Sequence, residues 1–164
     1  MEPFSQVRHK PPVNPSEPRE LIVAVPEMQS HVNLSRIVRT CGCFGVTRLV
    51  TSGKPKLDPD IARDATETVK LESHRTLAPV LKKLKEEGFD LVGLEQTQRS
   101  QVLWEFAFPK KCVLLIGHER HGLSEELLAM LDFAVEIPMY GTPHALNAAA
   151  SADCAIYEYC RQHR

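Results

Sequence analysis

The chain has 164 residues, a formal net charge of −1 and 25% charged residues, which is typical of one globular domain. The near-neutral charge argues against a globally basic nucleic-acid binder, although a local basic face stays possible. No apolar run reaches the about 20 residues of a membrane span, and the polar, proline-containing N-terminus lacks the pattern of a signal peptide. We therefore expect a cytoplasmic protein without a membrane partner.

The cysteines and histidines favour neither a disulfide framework nor a metal centre. The five cysteines are an odd number without a Cys-x-x-Cys pair, which predicts reduced thiols in the core. Cys41 and Cys43 are closer together than the usual zinc ligands. Three histidines lie in two loops without a cysteine or carboxylate at ligand spacing: His118, His121 and His144. We expect no metal.

The predicted elements alternate along the chain. Residues 1–19 are rich in proline and polar residues, and they predict a flexible or edge-packed arm ahead of one domain, 20–164. The domain opens on a buried strand, Leu21–Val25, and a helix with Asn33 as its N-cap, Asn33–Phe44. The remaining predictions, in chain order, are strand Arg48–Thr51, a turn-rich connection over 52–59, helix Thr76–Glu87, strands Asp90–Leu94 and Cys112–Ile116, helix Ser124–Met130, strand Ala134–Ile137 and helix Ala145–Arg161. This alternation predicts an α/β fold with a mostly parallel sheet and helices on both faces.

Two glycine-bearing loops follow predicted strands, one over 117–122 and the other around Gly141. Ligands of open parallel sheets bind beyond the carboxyl ends of the strands, so these loops predict the site. Neither loop contains a dinucleotide fingerprint or a P-loop, which argues against those two kinds of site. Glu119 lies between the glycines of the first loop, where we expect it to cap exposed N–H groups or to hold a cation.

Polar residues on the first and last predicted helices have two interpretations each. Arg36 and Arg39 share the polar face of the first helix, where a solvated stripe is the ordinary role. The more specific alternative is that these arginines contact phosphate, because a guanidinium presents a planar fork of hydrogen-bond donors. Asn147, near the start of the last helix, is expected to be a cap or turn residue.

Three segments together resemble the motifs of a known family. Residues 33–40 contain an Asn followed six residues later by Arg-Thr, and 115–124 contain a strand followed by Gly-x-Glu-x-x-Gly. Residues 137–147 contain Ile-Pro-Met, a glycine and then Leu-Asn. In this order the segments resemble the SpoU branch of the SPOUT RNA 2′-O-methyltransferases. The resemblance extends over about residues 21–162.

The resemblance implies a C-terminal segment threaded into a deep trefoil knot, with S-adenosylmethionine bound there and S-adenosylhomocysteine as product. It also implies a homodimer in which Arg39 reaches toward the partner's cofactor. Glu119 and Asn147 match the other polar motif positions, and Asn33 is expected to fix the loop ahead of Arg39. The adenine would be held by backbone groups around four residues: Leu94, Gly117, Ile137 and Leu146.

The resemblance further implies methyl transfer to a ribose 2′-hydroxyl of RNA. The segments 92–97 and 108–111 are similar to those of enzymes that modify a guanosine of the tRNA D-loop, so tRNA is the favoured substrate. Ribosomal RNA and the tRNA wobble ribose are alternatives. Because a guanidinium does not deprotonate in a protein, our hypothesis is that Arg39 clamps a phosphate and orients the hydroxyl.

One motif position departs from the family. Ala145 stands where the family usually has Ser, so a hydroxyl is missing. The two alternatives are that His144 beside it takes the place of that hydroxyl or that activity is reduced. This departure leaves open a non-catalytic module that binds RNA or cofactor. A third alternative is an unrelated α/β nucleotide-binding protein, which requires the three motif matches to be accidental.

Overall fold

The computed structural model describes residues 3–8, 10–13, 15 and 17–164. Within them lie seven strands: β1 Leu21–Val25, β2 Arg48–Ser52, β3 Lys70–His74, β4 Asp90–Leu94, β5 Gln101–Val102, β6 Cys112–Ile116 and β7 Phe133–Glu136. The helices are α1 His31–Cys43, α2 Pro59–Ala62, α3 Ala65–Thr68, α4 Ala78–Glu86, α5 Glu125–Met130 and α6 Ala148–Gln162. The strands form one sheet in the order β3-β2-β1-β6-β4-β7-β5, and each pairing is parallel. The predicted α/β class is confirmed.

The sheet is covered by a hydrophobic layer on each face, as predicted. Successive residues of a strand point to opposite faces, so the continuous apolar runs of β1 and β6 serve both layers. Val23 and Leu114 pack in the layer of α1 and α6, whereas Ile22 and Leu115 pack in the layer of α4 and α5. Each fully buried aliphatic side chain contributes about 2 kcal/mol to the driving force for folding.

The first helix begins two residues earlier than predicted. Ser30, not Asn33, is the N-cap, and its Oγ accepts a hydrogen bond from the Asn33 N–H at 3.2 Å. Ser35 on this helix is buried, and its hydroxyl donates to the His31 carbonyl at 2.6 Å and accepts from the Asp58 N–H at 2.8 Å. The apolar side chains on the opposite face of α1 are also buried: Leu34, Ile37, Val38 and Cys41.

Other boundaries also differ from the prediction. The turn-rich connection ends at α2, and α3 and β3 follow it without having been predicted. The sequence of α3 is too short, and that of β3 too polar, to show the periodic pattern of apolar residues that predicts a helix or a strand. β3 is polar because it is an edge strand whose residues are partly exposed. The last helix begins at Ala148 rather than Ala145, because the Asn147 side chain accepts hydrogen bonds from the Ala149 and Ala150 N–H groups. The prediction of Asn147 as a cap is confirmed.

The C-terminal segment is held from several directions. Strand β7 lies between β4 and β5 and pairs with both. At the far end of α6, the Tyr159 hydroxyl donates to the Lys110 carbonyl at 2.6 Å. The Gln162 side chain donates to the Phe106 carbonyl and accepts from the Phe108 N–H, both at 2.8 Å. These contacts fix α6 to the segment ahead of β6. The trefoil knot itself stays a prediction from the family resemblance.

The predicted arm is anchored at its end. Arg19 donates from Nε to the Phe44 carbonyl at 2.8 Å and from Nη1 to the His163 carbonyl at 2.6 Å. These bonds tie the entrance of β1 to the ends of α1 and α6. Residues 1, 2, 9, 14 and 16 of the arm lie outside the described residues. The division between residues 19 and 20 stays a prediction.

All five cysteines are free thiols. Cys41, Cys112 and Cys160 are buried in the core as predicted, whereas the prediction is wrong for Cys43 and Cys154, which are exposed. Burial, assisted by the nearby Asp90 carboxylate, raises the pKa of Cys112 to about 12, so this thiol stays protonated at neutral pH. In the described part of the chain, every helix is too short or too polar to cross a bilayer.

An ion-pair network on the outer strands predicts a pH-dependent part of the stability. Glu72 accepts from Arg48 Nε at 3.1 Å and Nη2 at 3.0 Å, and Lys70 Nζ lies 2.9 Å from its carboxylate. The Arg48 hydrogen bonds, opposed by burial and assisted by Lys70, lower the pKa of Glu72 from 4.5 to about 2. The stabilisation is therefore complete above pH 4.5 and is lost as the pH falls through 2.

We expect Glu72→Gln to lower the free energy of unfolding by about 2 kcal/mol at pH 7. This value is smaller than the pKa shift alone would give, because solvent around Lys70 screens the interaction. Denaturant unfolding at several pH values measures this difference, which should shrink toward acidic pH. The exposed Glu67 on α3 offers a control, since Glu67→Gln should change little at any pH. A Glu72→Gln effect that does not vary with pH contradicts the prediction.

Candidate active site

A cleft of about 210 Å³ opens at the carboxyl ends of β4, β6 and β7. These strands are neighbours in the sheet and run parallel, so the loops that follow them meet at one edge. This is where the glycine loops predicted a site. The cleft is lined by all four residues expected to surround an adenine: Leu94, Gly117, Ile137 and Leu146. Their role as cofactor contacts stays a prediction.

The loop after β6 is a tight hairpin whose glycines have no room for a side chain. His118 and Gly122 exchange two backbone hydrogen bonds of 3.0 Å, and Gly122 has a φ of +62°. A Cβ on Gly117 would lie 2.9 Å from the Gly122 Cα, closer than side-chain carbons approach a backbone. The two glycines therefore let the hairpin close on itself beside the cleft.

Glu119 caps the chain ahead of α1. Its carboxylate accepts from the backbone N–H groups of Gln29 at 3.3 Å and Ser30 at 3.1 Å, and from Asn33 Nδ2 at 3.2 Å. Burial opposes ionisation, but these hydrogen bonds and its own backbone N–H outweigh it, so the pKa of Glu119 lies below its ordinary value. The expectation that Glu119 caps N–H groups is confirmed.

The hydrogen bonds of Glu119 extend into a network that joins the three motif segments. Asn33 is buried, and its Oδ1 accepts from Asn147 Nδ2 at 3.1 Å. The Asn147 Oδ1 in turn accepts from the Ala149 N–H at 2.9 Å, at the start of α6. Glu119, Asn33 and Asn147 therefore form one continuous chain of side chains. We refer to these three residues as the Glu-Asn-Asn network.

Glu95 also lines the cleft, and the sequence motifs alone predict no role for it. It follows β4 directly, and its Oε2 accepts from the Leu123 N–H at 2.9 Å. The sequence did contain an indication of a role, because an acidic residue directly after a buried apolar strand end is expected to have a specific partner. Its partner, the Leu123 N–H on the loop after β6, is a backbone group that the sequence does not identify.

The histidines do not form a metal site in the described residues. The rings of His118 and His121 stack with centroids 4.9 Å apart, and His118 Nδ1 accepts from the Arg120 N–H at 3.0 Å. His118 and His144 line the cleft, and so does Ala145, which brings no hydroxyl to it. Across residues 17–164 and the described part of the arm, no group of three His, Cys, Asp or Glu side chains is placed to hold a metal ion.

Arg39 lies apart from the cleft. It lines a second groove, between α1 and α6, together with Arg36, Cys43 and Tyr157 among others. Tyr157 is 56% exposed in this groove and packs edge-on against Phe44, with ring centroids 5.9 Å apart. Within one chain, Arg39 is therefore not brought to the other polar motif residues.

The chemistry of the cleft suits a ligand that is partly apolar and partly cationic. Its walls combine five aliphatic side chains, Leu94, Ile116, Ile137, Met139 and Leu146, with three carboxylates, Glu95, Glu119 and Glu136, and the guanidinium of Arg120. Apolar walls accept a flat ring, and the excess of carboxylates favours a positive group and hydroxyl donors.

Residues 20–157 match the protein family described as the SpoU rRNA Methylase family. A curated relative from Mus musculus, the tRNA (guanosine(18)-2′-O)-methyltransferase TARBP1, is 34% identical over 148 residues. The match covers 87% of this chain and 9% of that protein, so the chain spans a small part of the mouse relative.

Solved structures share the fold. The A. aeolicus TrmH/SpoU tRNA modifying enzyme is similar with a TM-score of 0.84 and 30% identity, over 90% of this chain and 77% of that one. The SpoU Methyltransferase AviRb from Streptomyces viridochromogenes, in complex with the cofactor AdoMet, is similar with a TM-score of 0.75 and 27% identity. That likeness covers 92% of this chain and 62% of AviRb.

Proposed function

Because the chain belongs to the SpoU rRNA Methylase family, we propose that it is an S-adenosylmethionine-dependent RNA ribose 2′-O-methyltransferase. Its favoured substrate is tRNA, with a D-loop guanosine as the target. The observation that carries the proposal is the Glu-Asn-Asn network, which joins the three motif segments beside the cleft. The names of the mouse and A. aeolicus proteins support tRNA over ribosomal RNA.

The cleft residues fit S-adenosylmethionine. The apolar side chains of Leu94, Ile137 and Leu146 would enclose the adenine, and the hairpin at Gly117 would bring its backbone groups close. The carboxylates of Glu119 and Glu136 in the lining favour the positively charged sulfonium and ammonium groups. When bound, the cofactor supplies a methyl group already activated by the sulfonium charge.

The residues of the chain then act by positioning and by excluding water. Glu119 has a lowered pKa, so it is ionised at neutral pH and serves as an acceptor that orders the turn before α1. Asn33 and Asn147 hold that turn against the start of α6. Because a guanidinium does not deprotonate, Arg39 would clamp a phosphate and orient the ribose hydroxyl, whose proton leaves to phosphate or water.

We propose that Arg39 acts in the cleft of a second copy of the chain. Its position in the groove between α1 and α6, outside the cleft of its own chain, supports this arrangement. The exposed Tyr157 in that groove supplies apolar surface for a dimer contact. Two nearly neutral subunits would also join their basic groups into one RNA-binding surface.

The missing hydroxyl at Ala145 favours one alternative, a module that binds RNA or cofactor without catalysis. His144, which also lines the cleft, would take the place of that hydroxyl in an active enzyme. We also propose a cytoplasmic location, which five free thiols support.

Calorimetry with S-adenosylmethionine and transfer of a tritiated methyl group test the proposal together. We expect micromolar binding and label transfer to bulk tRNA, with mass spectrometry locating the methyl group on a D-loop guanosine. Label on ribosomal RNA or on the wobble nucleotide identifies an alternative substrate. Binding without transfer identifies the non-catalytic module, and failure to bind the cofactor overturns the proposed function.

Gly117→Ala should weaken S-adenosylmethionine binding by about tenfold or more, because the added Cβ pushes the hairpin out of place. Gly141→Ala is the matched control in the neighbouring loop, since a Cβ there meets nothing within 4 Å. Calorimetric titration of both variants measures the difference. Equal affinity of the two variants contradicts the assigned position of the cofactor.

A further inference from the structure

Glu95 contacts all three segments that line the cleft: the loop after β4, the loop after β6 and strand β7. Its backbone N–H donates to the Val135 carbonyl of β7 at 3.0 Å. Its carboxylate accepts from the Gln96 N–H at 3.2 Å, in the loop after β4, and from the Leu123 N–H at 2.9 Å, in the loop after β6. These hydrogen bonds join Glu95 to the loops after β4 and β6 and to β7 itself.

The glycines of the hairpin pack directly against this carboxylate. A Cβ on Gly122 would lie 2.3 Å from Glu95 Oε2, and one on Gly117 would lie 3.0 Å from the same atom. The hairpin therefore rests on the carboxylate at both of its glycines. Without that support, the Leu123 N–H loses its acceptor and the hairpin loses a contact surface.

We propose that Glu95 is a positioning residue that holds the loop of residues 117–123 in the conformation that binds the cofactor. It acts through the hydrogen bond from the Leu123 N–H rather than through its negative charge. The proposal rests on the proposed function of the cleft. It assigns Glu95 no contact with the reacting atoms.

Three substitutions separate this role from the alternatives. Glu95→Ala removes the acceptor, whereas Glu95→Gln keeps an oxygen for the Leu123 N–H and removes the charge. Asp132→Ala is the matched control, because the Asp132 Oδ2 accepts from the Leu91 N–H at 2.8 Å, at the opposite end of β4. This control also removes a carboxylate that caps a backbone N–H, but far from the cleft.

Calorimetry of each variant with S-adenosylmethionine and with S-adenosylhomocysteine, which lacks the sulfonium charge, gives the first readout. We expect Glu95→Ala to weaken both ligands equally, by about tenfold, and Glu95→Gln to stay within about threefold of the unsubstituted protein. Asp132→Ala should leave both affinities unchanged. A Gln variant as weak as the Ala variant, with the larger loss for S-adenosylmethionine, overturns positioning in favour of a charge role.

Hydrogen exchange of the ligand-free protein gives a second readout that does not depend on the cofactor. The amides of residues 118, 122 and 123 should exchange about tenfold faster in Glu95→Ala than in Asp132→Ala. If the unsubstituted protein binds neither ligand, the proposed function fails while this comparison still tests Glu95. Unchanged exchange in Glu95→Ala overturns the proposal.

Discussion

Arg39→Ala is expected to reduce methyl transfer by about a thousandfold, the loss seen when a preorganised charged donor is removed from an active site. Cofactor affinity and thermal stability should stay within error of the unsubstituted protein. The reason is that Arg39 is exposed, lies outside the cleft and forms no ion pair among the residues that the structure describes. Single-turnover rates, calorimetry and thermal unfolding measure the three quantities separately.

Two further substitutions sharpen the result. Arg36 shares the exposed face and the groove with Arg39, so Arg36→Ala tests whether any arginine in that groove has the same effect. We expect it to lose far less activity. Arg39→Lys keeps the positive charge but loses the planar fork, and should also be strongly impaired. Near-normal activity of the lysine variant contradicts the phosphate clamp.

Mixing inactive variants tests whether Arg39 acts across a dimer. Arg39→Ala and Glu119→Ala chains, mixed and allowed to exchange subunits, form heterodimers with one site that has both residues intact. Random exchange would restore about a quarter of the original activity. An absence of any recovery, with heterodimers demonstrated by native mass spectrometry, contradicts action across the dimer.

Glu119→Ala should cost both stability and activity. The substitution leaves the N–H groups of Gln29 and Ser30 and the Asn33 amide without their acceptor, so we expect the free energy of unfolding to fall by about 2 kcal/mol. Methyl transfer should fall by about a hundredfold, since misplacement of positioning groups by about 1 Å has effects of this size.

The stability and activity effects of Glu119→Ala are separable. Glu86 is an exposed acid on α4, so Glu86→Ala controls for the loss of one negative charge. Asn147→Ala removes the other end of the network and should give a similar loss of activity. Glu119→Ala protein that is folded at the assay temperature and fully active contradicts the role of the Glu-Asn-Asn network.

The sequence predicted the inner part of the sheet well and its edges poorly. The bounds of β1, β4 and β6 are those predicted, because strands buried on both faces leave continuous apolar runs. The edge strands β3 and β5 were missed: β5 has two residues, and β3 has one apolar residue, Leu71, among polar residues that belong partly to an ion-pair network. Burial leaves a pattern in the sequence, and edge pairing does not.

For the site, too, the sequence predicted some features and missed others. Glycine loops after buried strands located the cleft, and an acid between glycines predicted the capping role of Glu119. The contact between Asn33 and Asn147 was out of reach, since 114 residues separate them and both residue types are ordinary caps. Glu95 was missed for the same reason, because its partner at Leu123 is a backbone N–H with no side-chain signature.

The pairing of β1 with β6 has a consequence for biosynthesis. Leu21 lies opposite Cys112, so the first strand leaves the ribosome long before its central partner is made. Until then β1 can pair only with β2, and its apolar residues, which are buried in the folded domain, stay exposed to chaperones and to other chains. The third wall of the cleft comes later still, from β7 and the start of α6. We therefore expect the domain to complete its fold only after nearly all of residues 20–164 are translated, and shorter fragments to be prone to aggregation.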